Sequence, residues 1–303
     1  MVKPTGILLM AFGGADSPEA IEPFMKNLMG GRTPPPSLVE KIRARYQLIG
    51  GRSPLPDITA AQARRLEEVL RSRGGYFQVA VGMRYWHPFI QEGVEKILAS
   101  GAETIVGVSL APFYSRVSTG AYEEELKRVV NSYGNTRLKV IMTAPFFDRM
   151  EFMEAAAEKI KAALHEIPDN GGNEAAVIFS AHSLPVCYHQ EGDPYVSQFE
   201  FLVQRLAVRL GLKKWFMAYQ SKGGGQGEWL GPMVEDVMDQ LKQDGVSNVL
   251  VVPVGFVSDH IETLYDVDIA QKKYAENLGL NFFRSSSLNT SSKFIGALAE
   301  TIL

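Results

Sequence analysis

The stretch Val249-Leu-Val-Val-Pro-Val-Gly-Phe-Val-Ser-Asp-His-Ile-Glu-Thr-Leu-Tyr-Asp266 joins two kinds of sequence. Residues 249–254 are short, β-branched and apolar on both alternating sides, which predicts a central parallel strand covered by helices on each face. After Pro253 and Gly255 the composition turns polar, with Asp259, His260, Glu262, Asp266 and Asp268 in close succession. A helix starting near Ser258 would set Asp259, Glu262 and Asp266 at i, i+3 and i+7 on one face. Such a face is ordinary solvated surface unless its position says otherwise. In open parallel sheets ligands bind beyond the carboxyl ends of the strands, where this face stands. A row of carboxylates there can hold a divalent cation or take up protons.

Working outward, apolar runs at residues 6–11, 77–82, 104–110 and 138–144 alternate with amphipathic stretches. This is the pattern of a parallel α/β sheet with helical crossovers. Pro168-Asp-Asn-Gly-Gly-Asn173 has the composition of a linker. Beyond it the order recurs, with runs at 175–180, 215–220 and 248–254. The expected organisation is two similar lobes, residues 1–168 and 174–303, whose strand ends face one cleft. The first half carries an insertion at residues 30–55, opened by a stiff Pro34-Pro-Pro36, that reads as a lip over this cleft. Residues 291–303 read as an apolar-faced helix that packs back on the first lobe.

The 303 residues are 46% hydrophobic and 21% charged, with net charge −3 and pI near 6.0, an ordinary globular balance. Nucleic-acid binding would want a basic stripe, so no such partner is expected. A single cysteine, Cys187, excludes an internal disulfide and any multi-cysteine metal cluster, and fits the cytoplasm. The first apolar run is too short for a signal segment or a membrane span, which leaves peripheral membrane contact open.

His182, in Ser180-Ala-His-Ser-Leu-Pro185, ends a predicted buried strand, where an imidazole can ligate a metal or move protons. A lone histidine is as often a turn residue bonded to backbone. The neighbouring serines lack the glycines of a nucleophile elbow. His260 and Glu262 stand two apart, so a helix would place them on different faces. His87, before Pro88, either holds a turn or touches substrate. The cluster Lys222-Gly-Gly-Gly-Gln-Gly227 matches no phosphate-binding pattern and reads as a flexible cleft loop. Tyr85, Trp86, Phe113, Tyr114, Tyr122, Trp229 and Phe256 fall just past strands, which suits a large flat apolar ligand as well as ordinary core. Arg32, Arg45 and Arg116 can meet carboxylates of such a ligand.

Several blocks carry a resemblance: Arg45-Tyr-Gln-Leu-Ile-Gly-Gly-Arg-Ser-Pro-Leu55, Arg84-Tyr-Trp-His-Pro88, Ser180-Ala-His-Ser-Leu-Pro185, Tyr219-Gln-Ser221, Trp229-Leu-Gly-Pro232 and 253–266. Nearly end to end, the sequence resembles the ferrochelatases, which insert ferrous iron into a porphyrin in haem synthesis. The resemblance implies two Rossmann-like lobes, each with a four-stranded parallel sheet, and a porphyrin cleft between them. It implies that His182 and Glu262 form the iron-binding and proton-accepting pair, facing each other across the porphyrin plane, without dividing the roles, and that Asp266 stands behind Glu262 as a further metal-side group. It places Phe12, Arg32, Arg45, Tyr46, Ser53, Tyr85, Tyr122 and Trp229 at the porphyrin.

The chain departs from the family in places. Where the coproporphyrin III branch has a tyrosine that can act as an axial ligand, this chain has Phe12, which cannot ligate iron. Met29 and Gly30 stand where that branch has an arginine, and Ala270 ends the acidic row. With one cysteine the two-iron two-sulfur cluster of some members is not expected, so the only metal is the substrate Fe(II). Coproporphyrin III and protoporphyrin IX both remain open, as do a cobalt or nickel chelatase and a non-catalytic tetrapyrrole carrier. A monomer is expected.

Overall fold

A computed structural model describes residues 3–134, 138–168, 175–225 and 227–303; the linker at 169–173 lies outside them. The first sheet contains β1 (Thr5–Ala11), β2 (Phe77–Met83), β3 (Thr104–Ser109) and β4 (Lys139–Met142) in the order β2-β1-β3-β4. The second contains β5 (Ala176–His182), β6 (Trp215–Gln220), β7 (Asn248–Val252) and β8 (Asn281–Arg284) in the order β6-β5-β7-β8. Every pairing is parallel. The two orders are the same permutation, so the recurrence of strands in the sequence is a recurrence of topology.

The crossovers of the first half are α1 (Ile21–Leu28), α2 (Pro36–Leu48), α3 (Leu55–Ser72), α4 (Ile90–Ala99), α5 (Ala121–Ser132) and α6 (Met150–His165). Those of the second are α7 (Val186–Gln190), α8 (Tyr195–Leu210), α9 (Val234–Gln243), α10 (Lys272–Asn277) and α11 (Ser292–Ile302). Two segments are wound as π-helix, Arg116–Gly120 leading into α5 and Glu262–Gln271 leading into α10. The central strands β1 and β7 are apolar and almost wholly buried, as strands covered on both faces must be.

The two sheets share one body of packed side chains. The largest apolar cluster joins Ile7, Leu9 and Val108 of the first lobe to Val177, Leu202 and Leu250 of the second. The last helix of each half also lies across the other: α6 packs on α8 and β7, and α11 packs on α3 and α6. Phe294 of α11 meets Phe146 and Phe152 at 5.9 and 6.3 Å between ring centroids. Ser291 caps that helix, its hydroxyl accepting from the Phe294 backbone N–H.

The deciding stretch differs from its sequence reading in two respects. β7 stops at Val252, because Pro253 has no N–H to extend the ladder. No helix starts at Ser258; residues 253–260 form an irregular loop and the π-helix begins at Glu262. Asp259 therefore lies outside the helix and shares no face with Glu262 and Asp266.

Candidate active site

The strand order reverses around β1 and around β5, since each has neighbours leading away on both sides. Such switch points open a crevice at the carboxyl ends of the strands. Here the two crevices merge into one cavity of about 300 Å³, the lower end of the usual range for ligand pockets. Phe12, Phe113 and Tyr122 from the first lobe line it, opposite His182, His260 and Glu262 from the second. The exposed lining is mostly apolar, and Phe12 is 45% exposed, an unusual solvent contact for a phenylalanine. A large flat apolar ligand would cover it.

Three titratable side chains meet on the second lobe's wall, so His182 and Glu262 do not face each other across the cleft as expected: both project from the second half, with side-chain atoms 3.6 Å apart. His182 is the last residue of β5, paired in register with Gln220 of β6. Its Nδ1 lies 2.5 Å from the Ser183 carbonyl oxygen, which can only accept, so Nδ1 carries the hydrogen and Nε2 faces Glu262. The Tyr195 hydroxyl donates to the His182 carbonyl at 2.9 Å and fixes the strand end from below. His260 is held in the same way, with Nδ1 3.0 Å from the Ser258 carbonyl oxygen. Glu262 stands between the two imidazoles, Oε1 3.6 Å from His182 Nε2 and Oε2 3.6 Å from His260 Nε2. Both separations are ion-pair distances, longer than direct hydrogen bonds.

The electrostatics follow from this arrangement. Burial pushes the Glu262 carboxyl up, but His182 and His260 outweigh it and hold the group below its usual range. Burial pulls His260 down, and the Glu262 carboxylate reverses the balance, raising it. Asp266, one turn further along the π-helix, is raised by burial, against a 2.6 Å hydrogen bond from the Ser221 hydroxyl and with the Glu262 charge adding to the rise. The wall thus pairs an inner carboxylate held below the usual range with an outer one raised above it.

Helical spacing separates His260 from Glu262, but no helix covers His260. It belongs to the loop, where the two-residue offset imposes no opposite face, and it joins the cluster. Asp259 is a hub: its carboxylate accepts from Arg284, Ser287 and Asn289, pinning the loop to the segment after β8. Those donors outweigh burial and lower its pKa.

The other expected residues divide. Tyr122 lines the cavity, and burial raises its hydroxyl pKa. Tyr85 stacks on Phe12 with centroids 4.7 Å apart and so shapes the rim. Arg45 of the lip crosses to the second lobe, 3.8 Å from Asp266 Oδ1 and 4.9 Å above the Tyr265 ring. Arg32 is exposed and donates to the Met29 carbonyl. Tyr46 and Ser53 are buried away from the cavity: the Tyr46 hydroxyl accepts from the Ala15 N–H at 3.3 Å, and the Ser53 N–H donates to the Ala15 carbonyl at 2.7 Å. They clamp the loop that carries Phe12. Close packing there requires Gly14, where a Cβ would lie 2.6 Å from Ser53 Oγ. Trp229 is outside the cavity lining and packs against Gly223, its indole N–H donating to the Gly225 carbonyl. Two further residues at the site carry no sequence signal of their own: Tyr195, bonded to the His182 carbonyl, and the buried Gln220, which donates to the Glu262 carbonyl at 3.4 Å.

Two facing parallel sheets with a histidine and carboxylate cluster at their merged switch points define a chelatase-type protein. The sirohydrochlorin chelatase SirB of Bacillus subtilis, in its cobalt complex, shares the fold, with a TM-score of 0.59 over 99% of this chain and 94% of that one at 13% identity. The ferrochelatase family model matches residues 4–303, and the chain belongs to the ferrochelatase family. It is 35% identical to a ferrochelatase of Deinococcus radiodurans over 99% of this chain and 95% of that protein. It is 40% identical to a ferrochelatase of Geobacter metallireducens, covering 100% and 98%. A coproporphyrin III ferrochelatase of Geobacillus kaustophilus is 38% identical, covering 100% and 96%.

Proposed function

We propose that the chain inserts ferrous iron into a porphyrin lying in the interlobe cleft, with the second lobe's wall handling metal and protons and the first lobe's wall holding the ring. The observation that supports this reading best is Glu262 held between two imidazole Nε2 atoms at 3.6 Å on the wall of an apolar cavity. Metal insertion breaks two pyrrole N–H bonds, forms four iron–nitrogen bonds and releases two protons, with no change in oxidation state. His182, its Nδ1–H tied to a backbone carbonyl, presents the Nε2 lone pair to the incoming iron. Glu262 accepts the two pyrrole protons in succession, handing each to His260 or Asp266, from which it leaves to solvent. Phe12, Phe113 and Tyr122 exclude water from the face of the ring.

Among the described residues no helix is long and apolar enough to cross a membrane. The reading places the enzyme in the cytoplasm as a monomer that needs no resident cofactor. Anaerobic mixing with ferrous iron and, separately, coproporphyrin III and protoporphyrin IX tests it. Conversion of the free-base spectrum to the metalloporphyrin spectrum above the uncatalysed rate is the expected result, and the ratio of the two rates identifies the substrate. Absence of conversion with both porphyrins would overturn iron insertion and leave the cobalt or nickel chelatase and the carrier.

A further inference from the structure

The buried face of α3 carries Leu55, Thr59, Gln62, Ala63, Leu66 and Leu70. Gln62 is the residue whose polarity this apolar face does not explain. Thr59 satisfies itself by donating to the Leu55 carbonyl one turn back. Gln62, fully buried, reaches out of the first lobe altogether: its Nε2 donates to Ser258 Oγ at 2.9 Å and to the Asn289 carbonyl at 2.8 Å. The carbonyl can only accept, which settles which end of the amide is nitrogen. The other end, Oε1, is buried without a partner. An orphaned buried acceptor is costly, so an amide kept there in place of an apolar side chain points to what the nitrogen holds.

It holds the loop that carries the acid–base wall. Ser258 lines the cleft, and its carbonyl oxygen is the acceptor that orients His260. Asn289 lies in the left-handed region at φ 44°. From there its side chain accepts from the Asp259 N–H at 2.9 Å and donates to Asp259 Oδ2 at 2.7 Å, while its own N–H donates to the Val257 carbonyl at 2.8 Å. Residues 257, 258 and 259 are therefore gripped in succession. The only side chain in this grip that comes from the opposite lobe is Gln62 among the described contacts. The same helix begins at Leu55, which lines the first lobe's side of the cleft.

We propose that Gln62 is a positioning residue for iron insertion, setting the register between the porphyrin wall of the first lobe and the His260–Glu262 wall of the second. The inference rests on the proposed role of Glu262. Gln62 touches no reacting atom; it acts through Ser258 on His260, and through the loop on Glu262. An alternative is that Gln62 merely tethers the two lobes, as Arg65 does two positions past Ala63 by donating to the Thr290 carbonyl at the surface.

The test compares Gln62→Met, Ser258→Ala, their double variant and Arg65→Ala for anaerobic iron insertion, porphyrin binding by fluorescence quenching and thermal melting. Methionine is close in volume and removes the orphaned oxygen along with the donor, and thermal melting checks that the variant folds. Gln62→Met is expected to lower kcat by about 10- to 100-fold, the scale of a misplacement of about 1 Å, with KM for porphyrin within about threefold. The double variant should lose no more than the worse single one, because both remove the same contact. Arg65→Ala should lower the melting temperature and leave kcat unchanged. Full kcat in Gln62→Met, or an equal kcat loss in Arg65→Ala, overturns the proposal. Should Gln62→Met fail to fold, Ser258→Ala decides, since full kcat in that folded variant overturns it equally. Full turnover by Glu262→Gln would overturn the reading of the site itself, independently of Gln62.

Discussion

Replacing Asp259 with asparagine should destabilise the protein strongly for a change of one atom, and the reason can be worked out from its partners. Asp259 Oδ2 accepts from Asn289 Nδ2 at 2.7 Å, while Asn289 Oδ1 accepts from the Asp259 backbone N–H at 2.9 Å. Asn289 cannot turn its amide to suit an asparagine without losing the backbone bond. In either rotamer the variant sets an N–H₂ donor against a donor, against Asn289 in one and against Ser287 and Arg284 in the other. One charge-assisted hydrogen bond is lost and others are weakened, each worth about 1.5–3 kcal/mol. Arg284 keeps a second carboxylate, Asp268, 2.7 Å from its Nε, so no guanidinium is stranded. The expected loss is about 2–4 kcal/mol, or about 4–8 °C in Tm at roughly 2 °C per kcal/mol for a chain of this size. Because the folded pKa is depressed below the usual 3.8, the stabilisation is complete above that value and disappears as pH falls through the folded pKa. Calorimetry of both proteins from pH 7 downward should show a constant gap that narrows only below about pH 4. Equal melting at pH 7, or a gap indifferent to acid, would refute the reasoning.

Glu262→Gln should lower kcat by about 10²- to 10⁴-fold, the usual contribution of a proton-transfer group, while porphyrin quenching persists. In the same variant the His260 pKa, followed by NMR, should fall, because burial would then act without the carboxylate that opposes it. Gly255→Ala places a Cβ 2.8 Å from Ala181 Cβ and 2.9 Å from its Cα. The loop must then back away from β5, at a cost of about 1–3 kcal/mol. Melting temperature and turnover should fall together. Phe294→Ala removes the fully buried ring that docks α11 on α6, and urea unfolding should show a loss of about 3–5 kcal/mol.

The α/β class and the recurrence of strands were legible because central parallel strands are apolar on both faces and interrupted by turn residues, as in 249–254 and 6–11. His182 was legible for the same reason, as a polar residue at the end of a buried run. What escaped was set by geometry that no local period encodes. Helical spacing separated His260 from Glu262, whereas the loop geometry brings His260 to the carboxylate. Tyr46 and Ser53 belong to the motif block yet face inward, because the loop after β1 needs partners for the Ala15 N–H and carbonyl. Gln62 carries no motif at all; its signal was one amide on an otherwise apolar helix face, meaningful only once a surface 196 residues away in sequence is known to meet it.

The two lobes share a topology but divide the chemistry. In each, the strand following the switch, β3 or β7, runs through a Pro-Phe or Pro-Val-Gly-Phe segment into a π-wound turn, Arg116–Gly120 or Glu262–Gln271. A π turn widens the helix and shifts the side chains it carries relative to a regular α-helix, and such turns recur at functional sites. In the first lobe the widened turn brings Val117, Ser118 and then Tyr122 to the cavity, a largely apolar shelf with two hydroxyls. In the second it sets Glu262 against two imidazoles and keeps Asp266 within reach of Ser221 and Arg45. A duplicated scaffold thus presents two equivalent positions to one ligand. Filling one with aromatic surface and the other with ionisable groups puts His182, His260 and Glu262 on a single wall of the cleft. The two walls are tied across the cleft by Arg45, 3.8 Å from Asp266, and by Gln62, which donates to Ser258 Oγ and the Asn289 carbonyl.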